Sequence, residues 1–482
     1  MTQSACPAHV RWCRLPIGLA WRSNTLFIVS TVGIGLFTDL FLYGLVVPIL
    51  PFILRDRVSL PEDQIQSYVS ALLAAYAGAS VCFSPPAGII ADRVPTRQAP
   101  FLVGLVALLA ATLMLFLGQS IPVLILARVL QGISGAVVWT IGLALLLDTV
   151  GPENLGKTIG SIFGFISIGE LAAPVLGGVI YKKAGYAGVF GIGFAILAID
   201  FIMRILLIEK KTAAKWDEKA VGTEDDSEQQ DGGTATGEDG DDNEEEPLLR
   251  KKEEDSYKVP EGQSKVVRSV PILYVLRDPR LLTAFLLAFN QATLLATFDA
   301  TIPTEAEELF GFDSLKSGLL FVALVVPYLI LGPIAGWAVD RYGPKPAAVL
   351  GFGYLVPVLI LLRLARPGGT SAIVIFCALL SLCGVGMGVI GSPSLVEASY
   401  VVSQYDKANP HFFGEQGPYA QLYGLNSMVF SFGLTMGPII SGGLRDRIGY
   451  GNMNAVVAML CLITTILSVV YIGGKPKFLR KR

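Results

Sequence analysis

The sequence predicts an all-α membrane protein: twelve transmembrane helices in two pseudo-symmetric six-helix bundles. Three observations predict it. Twelve apolar segments lie near residues 26–54, 66–91, 99–117, 121–148, 157–180, 186–208, 280–302, 317–339, 346–364, 371–400, 421–444 and 452–473. Their lengths suit the roughly 20 helical residues that cross a bilayer's apolar core. One polar stretch, 209–270, divides them six and six. Two motifs then recur at matching places in the halves. Composition agrees, with 16% charged residues in this chain against about 25% in soluble domains.

Residues 1–25 read as a cytoplasmic tail. Arg11, Arg14 and Arg22 precede an apolar run too long for a cleavable signal, so the first helix acts as its own anchor. That helix opens the first bundle, 26–208. It carries Asp39 inside LFIVSTVGIGLFTDLFLYGLVVPILPFIL. A carboxylate at that depth costs about 2.5–3.5 kcal/mol on insertion scales. It is expected to face a polar cavity and meet a proton or a cation, or else to be neutralised by a polar neighbouring helix.

After the second segment comes GIIADRVPTRQ, with Gly88, Asp92, Arg93 and Arg97. The eighth is followed by GWAVDRYGPKP, with Gly336, Asp340, Arg341 and Lys345. A carboxylate at such a helix end can bind a basic residue or a helix N-terminus of the opposite bundle, because helix N-termini carry free N–H groups and partial positive charge. We read these loops as a cytoplasmic gate, the plainer alternative being ordinary topology charges.

The fourth segment holds Arg128 and Gln131. An arginine at membrane depth must find an anion or carbonyls, and Asp39 and Glu170 are its candidate partners. A contact that changes between states would be a proton–substrate switch; one that persists would fix packing. The fifth segment has Gly160, Gly169, Ala173-Pro174 and Gly177-Gly178. The eleventh repeats it with Gly424, Gly433, Gly437-Pro438 and Gly442-Gly443. Glycine lets helices approach and proline removes a helix hydrogen bond, so both segments read as hinges or close-packed seams. Asp200 and Arg204, four apart on the sixth segment, form a local structural pair. Asp148 and Glu397 are placed at helix ends that water reaches.

Residues 209–279 form an acidic cytoplasmic linker (GTEDDSEQQDGGTATGEDGDDNEEEP) that cannot bury a core and is expected to be disordered. Glu244 to Leu249 within it resembles an acidic dileucine sorting signal. The second bundle spans 280–473, and a basic tail, 474–482, closes the chain. Lys and Arg favour the segments on the side of both termini, which places termini and linker in the cytoplasm.

Several classes are excluded. A net charge of −2 gives no nucleic-acid footprint. The six cysteines show no pairing pattern and read as free thiols. Two histidines, His9 and His411, lie in polar segments, so no metal site is expected. No nucleotide loop or nucleophile motif suggests an enzyme. No cofactor is expected beyond a proton gradient.

The Gly-x-x-x-Asp-Arg loops, Arg128-Val-Leu-Gln131-Gly132 and the Gly/Pro segments together resemble the major facilitator superfamily and its proton-coupled drug antiporters. The first segment is most similar to the vesicular amine transporters and fungal multidrug-efflux relatives. The resemblance implies that Asp39 receives the substrate's ammonium, and that Asp299, four residues before Pro303, and Asn290 serve the site from the seventh helix. Two acids of that branch are missing: Gly391 stands in the tenth segment and Asn426-Ser427 in the eleventh.

Halves of this kind rock around a midplane site. The expected function is therefore proton-coupled antiport exporting amphipathic or cationic organic molecules by a monomer in the plasma membrane or a vacuolar or endosomal membrane. Vesicular or vacuolar amine loading is the second reading. A transporter-like receptor without transport is the third, and the intact motifs in both halves argue against it.

Overall fold

A computed structural model of the chain describes residues 18–94, 96–221, 257–260, 263–264, 267–268, 270–312, 314–409, 412–413 and 417–473. The described residues are helical, with no strand among them. The tail before Gly18, both histidines, the acidic run with its Leu-Leu pair, and the basic tail from 474 lie outside them.

Eleven continuous stretches are long and apolar enough to cross a membrane, and one of them is really two. Leu155–Leu206 has 52 residues, about 78 Å at 1.5 Å per residue. It breaks at Gly185, whose φ of 67° and ψ of −166° are open to glycine and strained for other residues. Counting the halves separately gives twelve crossings: α1 (Thr25–Val46), α2 (Glu62–Arg93), α3 (Gln98–Leu117), α4 (Ile121–Val150), α5 (155–184) and α6 (186–206). The second half contributes α7 (Pro279–Phe310), α8 (Ser314–Tyr342), α9 (Pro344–Leu361), α10 (370–408), α11 (Tyr419–Ile448) and α12 (Tyr450–Tyr471). Helix α10 is interrupted at Gly391–Ser392 and resumes at Pro393.

The halves meet along two seams, α2 against α11 and α5 against α8. Each half has its own apolar core. Phe352, Leu359, Phe376 and Met453 belong to that of the second, and Leu105, Leu108, Phe190 and Leu197 to that of the first. Asp200 and Arg204 are fully buried and form a bidentate pair, with contacts of 2.8 and 2.7 Å, as the spacing predicted. Arg204 also donates to the Phe101 carbonyl at 2.7 Å.

The linker departs from expectation at both ends. Lys210–Val221 is a helix, held where Lys210 Nζ donates to the Thr149 carbonyl at 2.8 Å. Glu209 accepts from the Gln98 N–H at 2.7 Å. Near the other end, Ile272 and Val275 are buried in a short helix against α7 and α10. Composition averaged over the acidic run concealed these apolar and basic anchors. Glu397 is corrected too. Arg280 reaches it at 2.8 Å and the Gly473 N–H at 3.0 Å, and it is buried at 1% exposure instead of solvated.

Candidate functional site

Both seams are closed at the end that carries the Asp-Arg loops. There the carboxylate of Asp92 accepts from the backbone N–H groups of Ala420 and Gln421, each at 2.9 Å, at the start of α11. Asp340 accepts from the N–H groups of Gly156 and Lys157 at 2.7 and 2.8 Å, at the start of α5. Each acid thus caps a helix N-terminus of the opposite bundle, where free N–H groups and the helix dipole both favour an anion.

The glycines explain the approach. A Cβ on Gly88 would collide with the Ala420 carbonyl, and one on Gly336 with that of Gly156. Arg97 is buried and holds Asp92 at 2.9 Å while reaching Asp148 at 3.4 Å. The second copy differs. Lys345 lines a surface cleft with Tyr342 and Val469, and Arg341 lies over Trp337 and Tyr342 of its own segment. Arg93 sits at the exposed end of α2.

The Gly/Pro segments divide their labour identically in both halves. Their first glycines, Gly160 and Gly424, face the opposite bundle against the carbonyls of Gly332 and Ser84. Their later small residues face the same bundle: Gly169 meets Phe37 and Ala173 meets Gly44 on α1, while Gly433 and Gly437 meet Phe289 and Thr293 on α7. Gly177 is buried, whereas Pro174 and Pro438 are exposed.

Towards the membrane centre the seams continue through Gly164–Leu329 and Ser80–Ser431 at 3.4 Å. Trp139 stacks on Phe430 across the halves, centroids 6.5 Å apart. Val175, Leu176 and Val179 of α5 and Val322 and Val326 of α8 are exposed. No atom lies within 4 Å of a Cβ built at Gly178 or Gly442.

Three acids lie within the membrane helices. Asp39 on α1 is fully buried, and its Oδ2 accepts from Tyr76 Oη at 3.2 Å and Trp139 Nε1 at 3.3 Å. Gly135 lets this group approach α4, since a Cβ there would lie 3.0 Å from the same oxygen. Asp39 Oδ1 is buried with no hydrogen-bond partner. Glu170 on α5 is half-buried and Asp299 on α7 is exposed. These two carboxylates lie within electrostatic reach of each other and of Tyr43.

Two sequence expectations fail here. Arg128 pairs with neither Asp39 nor Glu170: its Nη1 donates to Gln131 Oε1 at 2.9 Å, and its guanidinium lies 5.6 Å from the centre of the Tyr43 ring. Its Nε and Nη2 are buried without a partner. Gln131 lies three positions after Arg128, so the nearest acceptor was on the same helix face. Asn290 turns away from the other half. It is buried on the face of α7 turned to α12 and donates to Thr464 Oγ1. Tyr76 was missed, because a single mid-helix tyrosine carries no signal of which face it occupies.

A model of the Major Facilitator Superfamily matches residues 32–409. The chain belongs to that superfamily. It is an integral, multi-pass membrane transporter, and not an enzyme. The MFS-type transporter ppzB of Metarhizium rileyi is 45% identical over 95% of this chain and 97% of its own length. An MFS-type transporter of Schizosaccharomyces pombe, C18.02, is 40% identical over 94% and 97%. The vesicular acetylcholine transporter of Drosophila melanogaster is 24% identical over 89% of this chain and 69% of its own. Among solved structures, the human organic anion transporter MFSD10 superposes with a TM-score of 0.62 at 16% identity, covering 92% of this chain and 99% of that one. That likeness concerns the superfamily fold alone.

Proposed function

We propose that this transporter is a proton-coupled antiporter of amphipathic organic cations. The observation that carries the reading is the presence of three carboxylates within the membrane helices, Asp39 on α1, Glu170 on α5 and Asp299 on α7, none of them in a salt bridge among the described residues. An acid at that depth needs a proton or a cation, and aromatic faces beside it attract organic cations. Phe37, Tyr43, Trp139 and Phe163 supply such faces.

The Lys/Arg bias sets the Asp-Arg loops in the cytoplasm. The state described is then closed inward. Substrate leaves, and protons enter, on the opposite side. Movement of the bundles breaks the caps of Asp92 and Asp340 and opens the cytoplasmic side. Energy comes from the pH gradient, with no further cofactor.

The distant vesicular acetylcholine transporters favour a second reading: the same exchange in a vacuolar or endosomal membrane, loading an amine. Both readings are tested by purified protein in sealed vesicles, offered cationic, neutral and anionic compounds across an imposed pH gradient. Gradient-driven accumulation of cations is expected. Accumulation of anions alone, or transport indifferent to a protonophore, refutes the mechanism. Fluorescent tagging of the full chain in its own cells separates the two membranes.

A further inference from the structure

The second copy of the Asp-Arg loop leaves its basic residues uncommitted. Arg97 stands five positions after Asp92, is buried, and holds both Asp92 and Asp148. Lys345 stands five positions after Asp340. It joins no ion pair among the described residues, because the Asp340 oxygens are taken by the N–H groups of Gly156 and Lys157. Arg341 likewise has no carboxylate partner among the described residues. Its guanidinium lies 5.7 and 5.9 Å from the ring centres of Trp337 and Tyr342.

Lys345 lines a surface cleft of about 530 Å³ between the α8–α9 turn and the end of α12. Tyr342 stands at its polar end, and Val349 and Leu350 of α9 and Val469 of α12 supply apolar walls. One wall is fixed. The Gly473 N–H donates to the buried Glu397 at 3.0 Å, and a Cβ built on Gly473 would sit 3.4 Å from Cβ and Cδ of Lys345. The lysine stem thus lies on ordered backbone, with its ammonium left to seek a partner. Val469, Ile466 and Leu462, all exposed, continue the apolar wall along one face of α12.

We propose that this cleft binds an anionic phospholipid of the cytoplasmic leaflet, its phosphate on Lys345 and Arg341 and an acyl chain along Leu350, Val469 and Ile466. The site is independent of the antiport reading.

Three features select this occupant. The first is charge. Two uncommitted cations stand at the cleft, and Lys475 and Lys477 follow Gly473 in the sequence. The cytoplasmic leaflet is the anionic one and attracts basic groups beside a membrane helix. The same excess of positive charge disfavours the chain's own basic tail as the occupant. The second is depth. Trp337 and Tyr342 are exposed and meet edge to face, with ring centres 6.3 Å apart. Exposed tryptophan and tyrosine mark the headgroup level. The third is the union of charge with apolar surface. A soluble anion would use the basic end alone, whereas a lipid also covers the exposed Leu350 and Val469. The first copy of the loop offers no equivalent, since Arg97 is consumed by the cap of Asp92.

The test is native mass spectrometry of the purified full chain in detergent, titrated with phosphatidylserine or with phosphatidylcholine. Phosphatidylserine is expected to bind at least about fivefold more tightly, a single basic group at an anionic surface being worth about that factor. Lys345→Gln and Arg341→Gln should each lose about fivefold in phosphatidylserine affinity, and Lys345→Arg should keep it. Lys182→Gln removes an exposed lysine at the other end of α5 and should leave affinity within about twofold, since screening confines the effect to nearby charges. Melting curves report folding; should Arg341→Gln unfold, the two Lys345 variants still decide. Glycerophosphoserine, the headgroup without its chains, should not displace the lipid at equal concentration. Phosphatidylserine binding that is unaltered in Lys345→Gln, or matched by phosphatidylcholine, overturns the proposal. Displacement by glycerophosphoserine overturns it too, by making the cleft a site for a soluble anion.

Discussion

Replacing Asp92 by asparagine should open the closed end of the seam. Asp92 makes three contacts at 2.9 Å: with the N–H groups of Ala420 and Gln421, and with Arg97. Its side chain is 5% exposed, so water does not replace them. An asparagine has one acceptor oxygen and turns its NH₂ towards the second donor. The variant loses one charge-assisted bond outright and the charge from the others. With hydrogen bonds to charged groups worth about 1.5–3 kcal/mol, a loss of about 3 kcal/mol is expected, a shift of about a hundredfold against the closed state. Asp340→Asn should cost less, about 1.5 kcal/mol, because it loses one of only two backbone contacts, at a partly exposed site. Spin labels at Glu153 and Tyr342, exposed residues of opposite halves at this end, report the opening as a longer distance population. The double variant should show the two shifts added, since the caps sit on separate seams. Identical distance distributions in the wild type and Asp92→Asn, with unchanged turnover, would refute the idea that the caps hold the end closed.

Other expectations follow from the same geometry. Gly88→Val places a branched side chain into the Ala420 carbonyl; the same labels should show the closed population lost while the protein remains folded. Asp39→Asn should end accumulation driven by the pH gradient while leaving substrate-for-substrate exchange measurable, and wild-type gradient dependence would make Asp39 structural. Asp200→Ala leaves Arg204 buried without its partner, so stability should fall by about 3–5 kcal/mol and the melting temperature with it; an unchanged melting curve would contradict the buried pair. Protease added to the outside of intact cells should spare residues 222–256, and cleavage there would reverse the topology.

The sequence by itself determined the class and the plan. Hydropathy counts crossings because lipid forces each one to be a continuous helix. The repeated GIIADR and GWAVDR loops announced two equivalent halves. Asp200 and Arg204 were legible because a four-residue spacing is a local fact. What failed was non-local. Arg128 needed an anion by any sequence argument, yet the fold turns it to Gln131 and leaves Asp39 to Tyr76 and Trp139. Asn290 has the right depth and the wrong face, because rotation about the helix axis is set by packing against α12. Glu397 reads as solvated until Arg280, more than a hundred residues away, is brought beside it. That Glu170 comes within electrostatic reach of Asp299 is likewise a product of how two bundles meet, which no spacing along one chain encodes. The tertiary structure decided the partners because, in a low-dielectric interior, the energy of a charge depends on what surrounds it, not on its place in the sequence.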